Sequence, residues 1–122
     1  MARRINRPIT VAAGTPVNLA TGTTQPASEP VWAWEYFVQM KSGGSGKGLI
    51  YDGVPASRAT GTGIVAGDLT VELAPAAGPV NPGGSYDNAD YSNDRGGIDI
   101  NEIWIDGSHT GDVILASFVP KV

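Results

Sequence analysis

An all-β sandwich or barrel of about eight short strands with long irregular loops is the fold this sequence predicts, eight strands in two sheets being the number of a jelly roll. Three observations predict it. Apolar residues alternate with polar or small ones over short runs, which is the period of a strand with one covered face. No long segment free of Gly and Pro carries apolar residues at helical spacing, so no helix is available for a parallel crossover. The 17 Gly and 9 Pro make up about a fifth of the 122 residues, a share that suits many turns between short strands.

The elements follow in order. Ile9 and Val11 alternate until Ala13-Gly14-Thr15-Pro16 breaks the run, and Val17 and Leu19 form a second short pair. Thr21 to Pro30 reads as a polar loop. Val31 to Met40 is the clearest strand. Period two puts Trp32, Trp34, Tyr36, Val38 and Met40 on one apolar face, and Val31, Ala33, Glu35, Phe37 and Gln39 on a mixed face. Ser42 to Gly48 is a flexible turn, and Leu49-Ile50-Tyr51 resumes a strand. The two strands are expected to pair as a hairpin with a mobile tip. Ile64-Val65 and Leu69 to Leu73 are further strands around the turn Ala66-Gly67-Asp68. Pro75 to Asn101 is expected to be one long irregular stretch, with Ile98 and Ile100 already opening a strand. Ile103-Trp104-Ile105 and Val113 to Val119 close the chain, with a tip at Ser108 to Asp112 between them.

Residues 9–122 are therefore expected to form a single β-sandwich domain, preceded by a basic N-terminal arm at residues 1–8. Eight Lys+Arg against twelve Asp+Glu leave a formal charge of −4 and a pI near 4.7. That balance disfavours coating of nucleic acid, whose phosphates an acidic domain repels. Three of the eight bases, Arg3, Arg4 and Arg7, fall within the first seven positions. They read either as a docking element for an acidic surface or as a solvated terminus. No stretch reaches the ~20 apolar residues of a membrane helix, and no apolar run follows the N-terminal bases as in a secretory signal. Synthesis in the cytoplasm is the resulting expectation.

Chemistry is poorly represented. There is no Cys and a single His, so thiol catalysis, disulfides and multi-histidine metal centres are excluded. Gly46-Lys47 sits in a Gly-rich loop, yet Lys41 and Gly48 occupy the places where a phosphate loop needs Gly and Ser/Thr. Asp90, Ser92 and Asp94, within Asp87 to Asp94, offer oxygens at calcium-loop spacing. Arg95 and Asn101 stand where the turn glycine and the bidentate acid belong, with Glu102 one residue further on. His109 has Ser108, Asp106 and Asp112 near it, but all lie in one tip, where a base is not held against a third group. No catalytic residue, cofactor or metal is assigned. Trp32, Trp34 and Trp104 read as core or as subunit contact, with sugar stacking as the rival role.

Several segments together carry a resemblance: Val11 to Ala20, Leu49-Ile50-Tyr51-Asp52-Gly53, Gly61-Thr62-Gly63 leading to Glu72-Leu73-Ala74-Pro75, and Ile98 to Gly107 leading to Gly111-Asp112-Val113-Ile114. Their order resembles that of small bacteriophage virion proteins of the head decoration or cement type, over about Ile9 to Val119. Pro79 to Gly97 departs from it, being longer and more acidic. The resemblance implies a jelly-roll sandwich on the capsid exterior. It implies binding to the major capsid protein lattice, homo-oligomerisation as dimer or trimer, and stabilisation of the expanded head without enzymatic chemistry. Arg3, Arg4 and Arg7 are then the expected docking residues, and Trp34 and Trp104 the expected homo-oligomer contacts. Similar segments occur in tail- and fibre-associated modules, which makes a carbohydrate- or receptor-binding module the alternative.

Overall fold

The computed structural model describes residues 3–53, 69–88 and 97–121. The predicted strand at Ile64-Val65 and most of the oxygen-rich loop Asp87 to Asp94 lie outside them. The described chain is nearly all β and forms two antiparallel sheets, a sandwich as the alternation predicts.

The first sheet, sheet A, holds β1 (Ile5–Asn6), β2 (Ile9–Thr10), β4 (Trp32–Met40), β7 (Ser85–Asp87), β8 (Ile98–Asp99) and β10 (Val113–Pro120). Its order is β1-β10-β4-β7, with β2 also on β10 and β8 also on β4. The second, sheet B, holds β3 (Val17–Asn18), β5 (Gly48–Asp52), β6 (Leu69–Leu73) and β9 (Ile103–Gly107), in the order β3-β9-β5-β6. The core lies between the sheets. Val38, Met40, Ile114 and Phe118 from sheet A meet Ile50, Ile103, Ile105 and Leu73 from sheet B, all buried. A one-turn 3₁₀ helix at Ile100–Glu102 adds Ile100, and Asp99 caps it by accepting from the Asn101 N–H.

Four expectations are corrected. The described part of the expected arm, residues 3–8, is not separate from the domain. Ile5 pairs with Phe118, Asn6 with Ser117, Ile9 with Ile114 and Thr10 with Val113, in one register on both sides of Pro8. The Arg7 N–H donates to the Ala116 carbonyl at 2.7 Å, so the pairing continues between the two short strands. Pro8 has no N–H to offer and is tolerated because this is a sheet edge.

The stretch Pro75 to Asn101 is not wholly irregular, because β7 and β8 both line the edge of β4 within it. The third correction concerns Val31 to Met40 and Leu49 to Tyr51, which are not a hairpin. β4 belongs to sheet A and β5 to sheet B, so residues 41–47 cross from one sheet to the other. The close approach is made possible by Gly48, where a Cβ would lie 2.7 Å from Met40 Sδ and 3.0 Å from Leu73 Cδ1.

The fourth correction is the face of the two tryptophans. β4 pairs Glu35 with Val119 but Ala33 with Pro120, so Trp34 is an extra residue on β4. This β-bulge changes the phase of the alternation. Tyr36, Val38 and Met40 point inward as expected, but on the far side of the bulge Ala33 is the buried residue. Trp32 and Trp34 turn outward with Glu35, Phe37 and Gln39. Pro120 at the mismatch gives up no ladder bond, since it lacks an N–H.

Chain crossings are held by side chains bonded to backbone. Asn18 is fully buried. Its Nδ2 donates to the Asn101 carbonyl at 2.8 Å, and its Oδ1 accepts from the Ala20 and Thr21 N–H groups at 3.0 and 3.2 Å. Asn101 in turn holds Ala27 and Glu29. Replacing Asn18 by Ala leaves three part-buried backbone groups short of a partner. Urea unfolding should show a loss of about 2–3 kcal/mol, the upper part of the range for an orphaned buried polar group.

Candidate functional site

The structure sorts the residues singled out in the sequence into used and available. Arg3 is exposed at the start of the described chain. Arg4 reaches over β10: its Nη1 donates to Ser117 Oγ at 2.8 Å and its Nη2 pairs with Glu35 Oε1 on β4. Arg7 packs its guanidinium 5.6 Å from the centre of the Phe118 ring and donates through Nη1 to the Thr21 carbonyl at 3.1 Å. Its stem lies against Gly22, where φ is +71° and a Cβ would come within 2.8 Å of Arg7 Cδ. Arg4 and Arg7 therefore each have partners within the molecule, although Arg4 stays exposed. They do not make a free basic docking element together with Arg3.

Trp104 is fully buried and faces away from Ile103 and Ile105 on β9, so it is no surface contact. Trp34 is 38% exposed, with Lys121 Nζ 5.1 Å from its ring centre. Trp32, expected beside Tyr36 in the core, is 52% exposed. The Lys121 N–H donates to the Trp32 carbonyl at 2.9 Å and fixes the chain end beside the pair. One hint in the sequence pointed to this arrangement. Pro120 ends the strand opposite Ala33, one residue from Trp34, and proline inside a sheet is found at edges and bulges.

The outer face of sheet A is thus the surface with the most exposed apolar side chains among the described residues. Trp32 and Trp34 stand at one end of it. Phe37 and Val119 are half-buried in the middle, and Leu115 is 40% exposed at the other end. Leu115 pairs with Gln39, Ser117 with Phe37, and Val119 with Glu35, so these side chains share one face in two rows. The face is shallow. A sheet surface of this kind offers contact area, and nothing on it encloses a small substrate.

The loop ends look richer in chemistry but are bound up structurally. The Gly-rich turn does present backbone N–H groups to an anion, and the anion is Asp112. Its carboxylate accepts from Ser45 N at 3.2 Å and Gly46 N at 2.8 Å. Ser108 Oγ accepts from the Lys47 N–H at 2.8 Å, and Thr110 Oγ1 from Ala13 at 3.1 Å. Asp106, buried, accepts from Gly14 N at 3.0 Å and Gly107 N at 2.8 Å. His109 is exposed on the tip. The groups near it, Ser108, Asp106 and Asp112, are each committed to holding a loop. Among the described residues no three His, Cys, Asp or Glu side chains gather to hold a metal.

Burial raises the pKa of Asp106, and the two N–H donors partly oppose that rise. Burial, with Asp106 as a smaller contributor, also raises Tyr51. Tyr36 is lifted well above the usual phenol range by burial first, then by Tyr86 and Asp52.

Two outcomes follow for the loop anchors. Asp112→Ala strands the Ser45 and Gly46 N–H groups and should lower stability by about 1–3 kcal/mol in urea unfolding. Asp106 binds its proton more tightly folded than unfolded, so its contribution to stability falls as pH rises from the ordinary Asp range through its raised value. The unfolding free energy of Asp106→Asn relative to the unmodified chain should therefore improve as pH rises across that window. Comparison with known proteins finds no matching family model, curated protein or solved structure.

Proposed function

We propose that this chain is a non-enzymatic structural protein of a bacteriophage virion. In this reading it is a head decoration or cement protein that binds the lattice of the major capsid protein from outside and stabilises the expanded head. The observation that carries the reading is the bulge at Trp34, which puts two tryptophans on the outer face of an otherwise well-packed sandwich. Exposed Trp is the residue type most enriched at the energetic centres of protein interfaces. The segment order quoted above supports the virion assignment.

Strand order supports the jelly-roll part of the reading. With β1/β2 taken as one strand and β7/β8 as one edge, eight strands divide evenly between the two sheets. In chain order their sheets run 1-8-3-6 and 2-7-4-5, so the chain mostly passes from one sheet to the other, as in a jelly roll. Function is mechanical in this reading. Each copy contributes a modest interface, and a lattice multiplies it by holding copies close together. Trp32 and Trp34 take over the docking role first expected of the basic terminus.

The same two tryptophans also favour the tail- or fibre-associated reading, in which they stack on a sugar ring. One pair of experiments separates the two. Purified protein should co-sediment with expanded capsids and raise their melting temperature. Trp32→Ala with Trp34→Ala should weaken that binding by about 10-fold or more, as loss of an interface hot spot does. Absence of capsid binding, together with glycan-array binding lost in the same double variant, would establish the alternative.

A further inference from the structure

Next to the tryptophans, the outer face of sheet A carries a second arrangement. Arg4, just before β1, extends across β10 to Glu35 on β4 and also holds Ser117 on the way. The pair is open to solvent, with side chains 40% and 32% exposed. A guanidinium has five N–H donors and a carboxylate oxygen accepts more than one bond, so both groups retain capacity. Beside the pair lie Phe37 opposite Ser117 and Leu115 opposite Gln39. Two shallow hollows of about 240 Å³ each flank Phe37. One is rimmed by Arg4, Glu35 and Asp87, the other by Pro8, Gln39 and Leu115.

We propose that this face is a contact between two copies of the chain. The argument is self-complementarity of charge. A positive and a negative group sit side by side across the strands, at one level along them. A two-fold axis parallel to the strands and between β10 and β4 exchanges left and right but preserves that level. It sets Arg4 of each copy over Glu35 of the other, Phe37 over Ser117 and Leu115 over Gln39, with every contact made twice, as a closed dimer requires. The four charged groups then alternate in sign around a ring. Two antiparallel sheets packed in near alignment are the ordinary way to cover such a face.

The size of the contact sets its strength. From Glu35 to Gln39 across four strands the face measures about 17 Å by about 19 Å, from strand rise and spacing. Two copies therefore cover about 600 Å² in total, about half of what a stable specific interface buries. The contact is weak between free molecules and becomes effective where copies are held side by side. Only this last step rests on the virion reading; the contact itself does not.

Sedimentation velocity on the purified chain from about 10 µM to about 1 mM, a range suited to a small interface, tests the proposal. A concentration-dependent dimer is expected, weakened by salt because its ion pairs are near the surface. Arg4→Glu and Glu35→Arg should each remain monomeric. An equimolar mixture of the two should dimerise again. In the mixed pair the acid introduced at position 4 meets the base introduced at position 35, and native Glu35 of one chain meets native Arg4 of the other. Leu115→Asp, at an exposed position, is a second probe and should also abolish the dimer, with thermal melting confirming that each variant folds.

A monomer throughout the range would overturn the proposal. So would association untouched by the charge and Leu115 variants, or a mixture that stays monomeric. Capsid binding is read separately through Trp32 and Trp34, so either idea can fail without the other.

Discussion

The antiparallel ladder between β10 and β4 is the constraint on which the rest of this molecule depends. It runs from Ile114 opposite Met40 to Pro120 opposite Ala33 and forms the interior of sheet A. Its inward positions, Ile114, Ala116 and Phe118 with Tyr36, Val38 and Met40, make one wall of the core. The N-terminal strands pair on one side of it, and β7 and β8 on the other. The single inserted residue, Trp34, decides which side chains near the end of β4 reach water. A sheet has a side-chain period of two, so one extra residue exchanges inside for outside beyond that point. Small Ala33 fills the core position, and two large aromatic rings are left on the surface.

A chain without cysteine needs other means to tie distant segments together. Here they are short polar side chains bonded to backbone. Asn18 joins residues 83 positions apart, Asp112 holds the Gly-rich crossing loop from 66 positions away, and Asp106 holds the turn at Gly14 from 92 positions away. Such bonds give directional closure without redox chemistry. Among the described residues they also commit the loop-end carboxylates of Asp106 and Asp112 to structure, since each already accepts two backbone N–H groups.

Much of the fold was legible in the residues, for a definite reason. Alternation of apolar and polar residues reports which stretches are extended, and β4, β5, β6, β9 and β10 lie close to where it places them. The partner of each strand was not legible. Residues 41–47 look like a hairpin tip because Gly and Ser suit tight turns and sheet crossings equally well. The choice between the two lies in a contact between Gly48 and Met40 that no local pattern encodes. For the candidate site, the sequence pointed to Trp34 but also to Trp104, which is buried, and it assigned Trp32 to the core. It presented Arg3, Arg4 and Arg7 as one cationic element, although Arg4 and Arg7 find partners 31 and 14 positions away.

By itself, then, the sequence determined an all-β chain with a buried alternating core, no thiol chemistry, and an acidic balance of charge. Each of these depends on composition or on spacing along a strand, which neighbours in the chain settle among themselves. The tertiary structure alone decided which sheet each strand joins, which tryptophans face outward, and whether the N-terminal arginines are free. Those depend on register between segments remote in the chain. A shift of one residue there, as at Trp34, reverses the exposure of a side chain without altering any local preference.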